Sequence, residues 1–317
     1  MTPFPTMFAV RYTLNGFNAA DPFSSFRKSV RFPVQTELSS VGFPHEVFFY
    51  TGFIVKRRNE IDRFPIREKV LHLTEAAKSV AVIITVLNEE SNIAPIFSEL
   101  KKIESNTAGW KLTSIVFADG GSTDNTGKEI EAQSGQMPGF SVITRSQKLK
   151  PGTAPATIEA ADSVNADWIV VMDGDLQHPI YKIPELLNAK SEGYDVVVAS
   201  RYVEGGIISR TATRGAVSKG AEFLCRHYVK SSGTLADPLS GFFVTDAYRI
   251  SSLTPVPGLY KLLLYVLASS GELKSKEVPY SFGRRIHGKS KLTAGSTHFI
   301  RRYLKELSFY KKIEKAR

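Results

Sequence analysis

The sequence predicts an α/β protein built on an open, mostly parallel sheet with helices on both faces. Between residues 80 and 200, short apolar runs rich in Val and Ile alternate with segments of helical spacing. Such uninterrupted apolar runs are typical of strands that are buried on both sides. The composition, with 42% hydrophobic and 23% charged residues in a chain of 317, is that of a globular protein and excludes disordered and fibrous classes.

The predicted elements follow one another in a regular order. The predicted strands are 80–87, 112–118, 140–144, 168–172 and 195–199, and the helices between them are 92–105, 124–132, 153–164 and 180–191. After residue 206 the pattern is less regular, with helices predicted at 214–226 and 259–268 and extended segments at 242–245 and 277–282. Ligands of such sheets bind beyond the carboxyl ends of the strands, so the residues that directly follow the strands are the first candidates for a site.

The chain divides into three predicted regions. Residues 1–79 are rich in Phe and Pro and lack periodicity, which predicts an irregular N-terminal extension that packs on another surface. The alternative is a poorly ordered arm. Residues 80–292 form the predicted α/β domain. Residues 293–317 combine apolar residues at helical spacing with an excess of Lys and Arg, which predicts a basic amphipathic helix. Such a helix either lies on an anionic membrane surface or packs on the domain.

Charge and cysteine content limit the classes of partner and site. The formal net charge of +10 favours an anionic partner, which could be a nucleic acid, a phosphorylated ligand or an anionic membrane. No recognisable nucleic-acid-binding module is present, which argues against the first of these. The single cysteine, Cys225, excludes an intramolecular disulfide and a Cys-based zinc site. We expect no membrane span, because no uncharged apolar stretch reaches about 18 residues. We expect no secretory signal, because the N-terminus lacks a basic segment followed by an apolar run.

Two aspartates separated by one glycine follow the predicted strand 168–172. Asp173 and Asp175 leave the strand into a turn, and two carboxylates so close together are stabilised by a cation. Oxygen ligands suit Mg²⁺ or Mn²⁺, and Gln177 can add a neutral oxygen. His178 precedes Pro179 and is expected to shape the turn. The alternative is a solvated turn without a metal.

A second acidic residue, Asp119, follows the strand 112–118 and is succeeded by two glycines and Ser122. Glycines allow a ligand to approach the backbone closely, and a carboxylate can accept hydrogen bonds from a base or a ribose hydroxyl. A plain β–α turn explains the same residues equally well. Neither a dinucleotide-binding glycine pattern nor a P-loop follows the first strand, which argues against dinucleotide oxidoreductases and P-loop NTPases.

Seven segments together resemble family 2 glycosyltransferases with the GT-A fold, and within them the dolichyl-phosphate or polyprenyl-phosphate mannose synthases. The segments are VIITVLNEESNI (82–93), FADGGSTDNT (117–126), VMDGDLQHPIYKIPELL (171–187), SRYVEGG (200–206), RGAVSKGA (214–221), DPLSGFF (237–243) and FGRRIHGKSKL (282–292). They occur in the order typical of the family.

The resemblance implies roles at the matching positions. Nucleotide-sugar binding is implied for Thr85, Leu87, Glu89, Asp119, Asp173, Arg201 and Arg214. Binding of the acceptor phosphate is implied for Arg214, Arg285, Ser290 and Lys291. Metal binding, of Mg²⁺ or Mn²⁺, is implied for Asp173, Asp175 and Gln177, and the catalytic set is Asp173, Asp175, Arg285 and Lys291. Residues 284–292 would be a mobile acceptor loop.

The implied reaction is an inverting transfer of a hexose, most simply mannose from GDP-mannose, to a polyprenyl or dolichyl monophosphate. It would take place at the cytoplasmic face of a membrane, with the protein peripherally bound, and a small membrane-anchoring subunit could hold it there.

Three departures from the family pattern bear on the sugar and the base rather than on the chemistry. Residues 85–89 lack the usual Pro and Tyr, Gly120 and Gly121 stand where aspartates are common, and Tyr265 stands where a glutamate is frequent. Two alternatives therefore stay open, namely UDP-glucose or another donor, and a catalytically silent nucleotide-sugar-binding subunit.

Overall fold

The computed structural model describes two compact units, Met1–Thr74 and Glu75–Arg317. The described residues are the strand segments 46–47, 54–57, 60–63 and 71–72, and residues 77–103, 109–135, 137, 141–146, 152–208, 212–283 and 297–317.

The first unit contains two short antiparallel strand pairs. Strand β1 (Glu46–Val47) pairs with β4 (Leu71–His72), and β2 (Ile54–Arg57) pairs with β3 (Glu60–Arg63). The rest of residues 1–74 lies outside the described residues, so the irregular extension over 1–79 stays a prediction.

The second unit is built on a mixed seven-stranded sheet. Its strands and those of a small parallel pair are β5 (Lys78–Val86), β6 (Trp110–Asp119), β7 (Ser141–Ser146), β8 (Trp168–Asp173), β9 (Val196–Ser200), β10 (Ile207–Ile208), β11 (Phe243–Asp246), β12 (Ser275–Pro279) and β13 (Ser281–Phe282). The order across the large sheet is β12-β9-β11-β8-β5-β6-β7, and β10 pairs with β13. Strand β11 is antiparallel to both its neighbours, whereas all other pairs of the large sheet are parallel. The predicted open, mostly parallel sheet is confirmed.

The helices follow the predicted order with shifted ends. They are α1 (Glu90–Leu100), α2 (Thr126–Ser134), α3 (Thr153–Ala161), α4 (Ile183–Ser191), α5 (Ala212–Tyr228), α6 (Ala247–Ser251), α7 (Leu262–Ser270) and α8 (Thr297–Ala316). The helix predicted to reach residue 105 ends at Leu100, because the amides of Lys102 and Ile103 bond three residues back, to Glu99 and Leu100, in a tight turn. The helix predicted from 259 starts at Leu262, because Lys261 has non-helical backbone angles.

Alternate residues of the central strand enter two separate hydrophobic clusters, one on each face of the sheet. Ala81 and Ile83 of β5 join a cluster with residues of α3, α7 and α8, and Val82 and Ile84 join one with residues of α1 and α4. All four side chains are fully buried. Full burial of a Val or Ile side chain contributes about 1.5–3 kcal/mol, which is why the strands are apolar at consecutive positions.

The C-terminal helix α8 is confirmed as a helix, and its apolar side faces the domain. Tyr303, Leu307 and Tyr310 are buried in the same cluster as α7. This side is therefore not available to a membrane, and packing on the domain is the correct alternative for it. The opposite side carries exposed basic residues at helical spacing: Arg301, Lys305, Lys312 and Lys315. None of the helices in the described residues is both long enough and apolar enough to cross a bilayer.

Candidate active site

Two strands that flank β5 each end in an aspartate, and the two aspartates lie at the same edge of the sheet. Asp173, the last residue of β8, is paired with Thr85 of β5, and Asp119, the last residue of β6, is paired with Val86. The two aspartates thus flank the carboxyl end of β5, where ligands of such sheets bind.

The turn after β8 presents two carboxylates on either side of Gly174. Asp173 Oδ1 accepts a hydrogen bond of 2.9 Å from the Thr85 hydroxyl, and Asp175 Oδ1 accepts one of 3.1 Å from the backbone amide of Gln177. The side chain of Asp173 is 49% exposed, whereas Asp175 is buried. Gly174 is pressed against β5, since a Cβ there would lie 2.6 Å from Val86 Cγ1.

His178 holds this turn in place, as predicted. Its Nδ1 accepts a 3.0 Å hydrogen bond from the backbone amide of Asp173, and its ring stacks on Phe242 at a centroid distance of 5.3 Å. Burial lowers the pKa of His178, although the carboxylates of Asp173 and Asp175 act in the opposite direction. A neutral imidazole is also what the geometry requires, because Nδ1 can accept a hydrogen bond only when it carries no proton.

Gln177 connects the turn to the residue that precedes the predicted acceptor loop. Its side-chain Nε2 donates to the carbonyl of Gly283 at 3.0 Å, and the Gly283 amide donates back to the Gln177 carbonyl at 3.2 Å. The position of Gly283 is therefore tied to the carboxylate turn.

Asp119 shapes the turn after β6. Its Oδ1 accepts hydrogen bonds from the Gly121 amide at 3.1 Å, the Ser122 amide at 2.9 Å and the Ser122 hydroxyl at 2.6 Å. Gly121 has a φ of 93°, which favours glycine. The turn interpretation thus has direct support. A role for this carboxylate toward a nucleoside stays a prediction.

The segment after β5 is fastened to the same turn. Asn88 Oδ1 accepts a 2.7 Å hydrogen bond from the Thr123 amide, and the Asn88 amide donates to the Ser122 hydroxyl at 2.8 Å. The buried Glu89 accepts a 2.6 Å hydrogen bond from Asn92 Nδ2, whereas Leu87 is 39% exposed. Thr85, Leu87, Glu89 and Asp119 are therefore brought to one edge of the sheet.

Arg201 lies just beyond β9, and its guanidinium is held by a buried carboxylate that sequence reasoning missed. Its Nε and Nη2 donate to Asp237 at 2.7 and 2.6 Å, and both residues are buried. The backbone amide of Asp237 is in turn bound by Glu277 at 2.9 Å. Two of the donors of Arg201 are therefore engaged within the protein, and its contact with sugar phosphates stays a prediction.

The predicted basic residues toward the acceptor are not part of this described geometry. Arg214 lies in α5, where only the backbone is described. Arg285, Ser290, Lys291 and the whole predicted loop 284–292 lie outside the described residues. Their roles stay predictions.

The candidate site supplies some, but not all, of the oxygen ligands that a hard divalent cation needs. Asp173 and Asp175 supply carboxylate oxygens beside one glycine, and such oxygens are what Mg²⁺ and Mn²⁺ prefer. Within the described ranges, no group of three His, Cys, Asp or Glu side chains could hold a metal ion alone. An ion at these aspartates would therefore need further ligands, such as Gln177, water or oxygens of a substrate.

Further residues of the site have weak signals in the sequence. Gly241 approaches Asp173 so closely that a Cβ there would lie 3.3 Å from Asp173 Oδ2. Gly241 and Asp237 both lie in the segment DPLSGFF (237–243). This segment was one of those that resemble the family, but no role was predicted for either residue.

Comparison with protein families gives a match to one of them. The model of the family described as Glycosyl transferase family 2 matches residues 81–242. The matched residues include Thr85, Leu87, Glu89, Asp119 and the turn from Asp173 to Gln177.

Two curated relatives carry the same name. The dolichol-phosphate mannosyltransferase of Pyrococcus furiosus is 35% identical over 221 residues, which cover 69% of this chain and 60% of that protein. The dolichol-phosphate mannosyltransferase of Mycosarcoma maydis is 28% identical over 242 residues, which cover 74% of this chain and 79% of that protein. The chain thus spans 60% of the length of the Pyrococcus furiosus relative.

Solved structures support the fold. Glucosyl-3-phosphoglycerate synthase from Mycobacterium tuberculosis, in complex with Mn²⁺ and UDP-glucose, superposes with a TM-score of 0.54 at 19% identity, over 75% of this chain and 81% of that chain. This likeness agrees with the predicted GT-A architecture.

Proposed function

This chain belongs to glycosyl transferase family 2, and from this membership we propose that it transfers a hexose from a nucleotide sugar to a polyprenyl or dolichyl monophosphate. The favoured donor is GDP-mannose, because two relatives are named dolichol-phosphate mannosyltransferases.

One observation carries the proposal on the side of chemistry. The Asp173–Gly174–Asp175 turn stands at the carboxyl end of the central strands, with the half-exposed Asp173 beside Thr85. Two carboxylates at a strand end repel an anionic ligand unless a cation accompanies it. A nucleotide sugar brought in with a divalent cation meets this condition.

The proposal includes Mg²⁺ or Mn²⁺, held by Asp173 and Asp175 with Gln177 as a further oxygen ligand. Such an ion, when bound, acts as a Lewis acid that stabilises the charge of the leaving nucleoside diphosphate. Asp119 and Glu89 would hold the nucleoside, Thr85 and Leu87 would line its site, and Arg201 and Arg214 would face the sugar phosphates.

The acceptor needs little activation by the protein. The second pKa of a monophosphate ester is about 6, so the acceptor is largely a dianion at neutral pH and is already nucleophilic. The task of Arg214, Arg285, Ser290 and Lys291 is to bring two anions together through charge-assisted hydrogen bonds. Direct displacement at the anomeric carbon inverts its configuration, which gives a β-linked product from an α-linked donor.

The proposed acceptor places the reaction at a membrane surface. A lipid phosphate lies among the headgroups, so the open edge of the sheet would face them from the cytoplasmic side. A small membrane-anchoring subunit is compatible with this arrangement.

The test is a donor panel with the purified full chain. GDP-mannose, GDP-glucose, UDP-glucose and UDP-N-acetylglucosamine are each incubated with a polyprenyl phosphate and Mg²⁺ or Mn²⁺, and products are identified by mass. We expect a hexosyl lipid phosphate from GDP-mannose, lost when a chelator removes the cation.

Other outcomes separate the alternatives. Transfer from UDP-glucose alone would show that the donor is UDP-glucose and not GDP-mannose. The proposed class of acceptor would be unchanged. Nucleotide binding without any transfer would favour a catalytically silent binding subunit and contradict the proposal.

A further inference from the structure

A lysine outside every predicted site lies at the same edge of the sheet. Helix α3 follows strand β7, so its first residues lie at the carboxyl edge of the parallel strands. The amide of Ala154, in its first turn, donates to the Leu259 carbonyl at 3.2 Å, and the Thr153 hydroxyl donates to the Tyr260 carbonyl at 3.1 Å. These two hydrogen bonds hold residues 259–261 next to the carboxyl edge of the parallel strands.

A close backbone contact supports the same placement. Gly152 has a φ of 125°, and a Cβ there would lie 2.3 Å from the Leu259 carbonyl oxygen. Only glycine fits this position, because both its backbone angle and the space beside it exclude a side chain.

The C-terminal helix holds the segment from the other side. Oε1 of the buried Glu306 accepts hydrogen bonds of 2.6 Å from the amides of both Tyr260 and Lys261. The Tyr310 hydroxyl lies 2.6 Å from the same oxygen and 3.0 Å from the Lys261 carbonyl. The carboxylate thus lies next to the start of α7, where the helix dipole favours negative charge.

The side chain of Lys261 lies within electrostatic range of charged groups of the candidate site. The groups that act on it electrostatically are the carboxylates of Glu306, Asp173 and Asp237 and the guanidinium of Arg201. Within the described part of the chain, its ammonium forms no ion pair and no hydrogen bond. Asp237 is already bound by Arg201, and Glu306 by backbone amides and a hydroxyl.

A half-buried cation in this setting can serve an anionic ligand. Burial lowers the pKa of Lys261, although Glu306 opposes this effect. A ligand that supplies negative charge next to Asp173, such as a phosphate accompanied by a divalent cation, would offer the ammonium a partner that the described residues do not supply.

We propose that Lys261 binds a phosphate oxygen at the transfer site and that Glu306 positions it through the backbone of residues 260 and 261. The inference rests on the proposed function, since it takes the ligand from that reaction. The phosphate belongs either to the nucleoside diphosphate or to the lipid acceptor, and these two sources are separated by experiment.

The experiment compares Lys261→Met and Lys261→Arg with the wild-type chain. Methionine keeps much of the length of the side chain without the charge. Binding of GDP and of UDP with Mg²⁺ is measured by calorimetry, and the KM for polyprenyl phosphate is measured separately. The matched control is Lys102→Met, whose side chain is 65% exposed and lies just past the end of α1. Thermal unfolding checks that each variant is folded.

We expect Lys261→Met to weaken one of the two interactions about 10- to 100-fold, as for loss of a hydrogen bond to a charged group, and Lys261→Arg to restore part of it. Weaker nucleotide binding would show that Lys261 binds the diphosphate of the donor. A raised KM for the acceptor would show that it binds the lipid phosphate. A folded Lys261→Met chain within twofold of wild type in both measurements would overturn the proposal. Failure of the proposed function would be visible in the wild-type chain instead, as nucleotide binding without transfer.

The role of Glu306 is tested with Glu306→Gln alone and combined with Lys261→Met. If Glu306 acts through Lys261, its effect on the same binding constant disappears in the double variant. An effect of equal size in both backgrounds, or none in either, would contradict the positioning role.

Discussion

Gly174 directly follows β8 and lies so close to β5 that a side chain would not fit. A Cβ there would meet Val86 Cγ1 at 2.6 Å and the Thr85 carbonyl at 3.1 Å. The same turn sets the directions of Asp173 and Asp175. The separation of the two carboxylates therefore depends on a residue that carries no functional group.

We expect Gly174→Ala to reduce transfer strongly, because the new methyl group displaces the turn that carries both aspartates. The measurement is kcat/KM for the donor, with a thermal melt to show that the domain is folded. Gly127→Ala in α2 is the control, since a Cβ there has nothing within 4 Å. It should keep full activity, and equal activity of the two variants would show that the turn tolerates the displacement.

Asp175→Ala tests the proposed metal site directly. We expect transfer to fall by about 10²-fold or more, because the variant loses an anionic oxygen from a centre that stabilises the leaving diphosphate. Asp162→Ala, at the exposed end of α3, provides the control. Retention of more than about a tenth of the wild-type rate by Asp175→Ala would remove this residue from the metal site.

At the level of elements, a polar clamp joins the starts of β5 and β8 at the edge opposite the site. Asp167 Oδ2 accepts hydrogen bonds from the Ser79 amide at 2.8 Å and the Ser79 hydroxyl at 2.7 Å. The amide of Asp167 donates back to the Ser79 carbonyl at 2.9 Å. The hydrogen bond from the Ser79 side chain, followed by that from its amide, lowers the pKa of Asp167 below its usual 3.8.

This clamp should make stability depend on pH at the acid end. A carboxyl group whose pKa is lower in the folded state stabilises the fold above its unfolded pKa and loses this effect as the pH falls through the folded value. The difference in free energy of unfolding between wild type and Asp167→Asn should therefore be positive at pH 7 and shrink below about pH 4. Urea titrations between pH 7 and pH 3.5 measure it, and a difference that does not change with pH would argue against the clamp.

The elements show why some features could be predicted from sequence and others could not. The apolar runs of β5, β6, β8 and β9 are local signals, so their positions were predicted to within about two residues. The antiparallel direction of β11 has no local signal, because the residue pattern of a short strand does not show whether it runs parallel or antiparallel to its neighbours. The contacts of Arg201 with Asp237 and of Glu306 with residues 260 and 261 join segments 36 to 46 residues apart, which periodicity does not reveal. The amphipathic pattern of α8 was found correctly, but it could not tell a membrane from the domain's own core.

Across the whole molecule, the excess of positive charge is exposed in part as a stripe on α8. Arg301, Lys305, Lys312 and Lys315 lie on the side opposite the buried Leu307. Contact of this basic stripe with a membrane would therefore be electrostatic, while Tyr303, Leu307 and Tyr310 remain in the core.

We expect salt-sensitive binding to anionic liposomes, weakened when these four residues are changed to serine. Each basic residue near an anionic surface contributes about 1 kcal/mol, and salt screens the attraction. Co-sedimentation at low and high salt is the measurement, with an unchanged melting temperature as the control. Removal of residues 299–317 is unsuitable for this purpose, because it also removes Leu307 and Tyr310 from the core. Binding that is unaffected by the four changes would place the contact elsewhere in the chain.

The position of β11 in the sheet has a consequence for how the protein is made. β11 lies between β8 and β9, so neither strand has its partner on that side until residues 243–246 have left the ribosome. Until then, both nascent edges carry unpaired backbone groups that can bind each other or another chain. The family match ends at residue 242, one residue before β11 begins. A chain that stops there would hold every residue predicted to bind the donor and still lack the strand that joins β8 to β9.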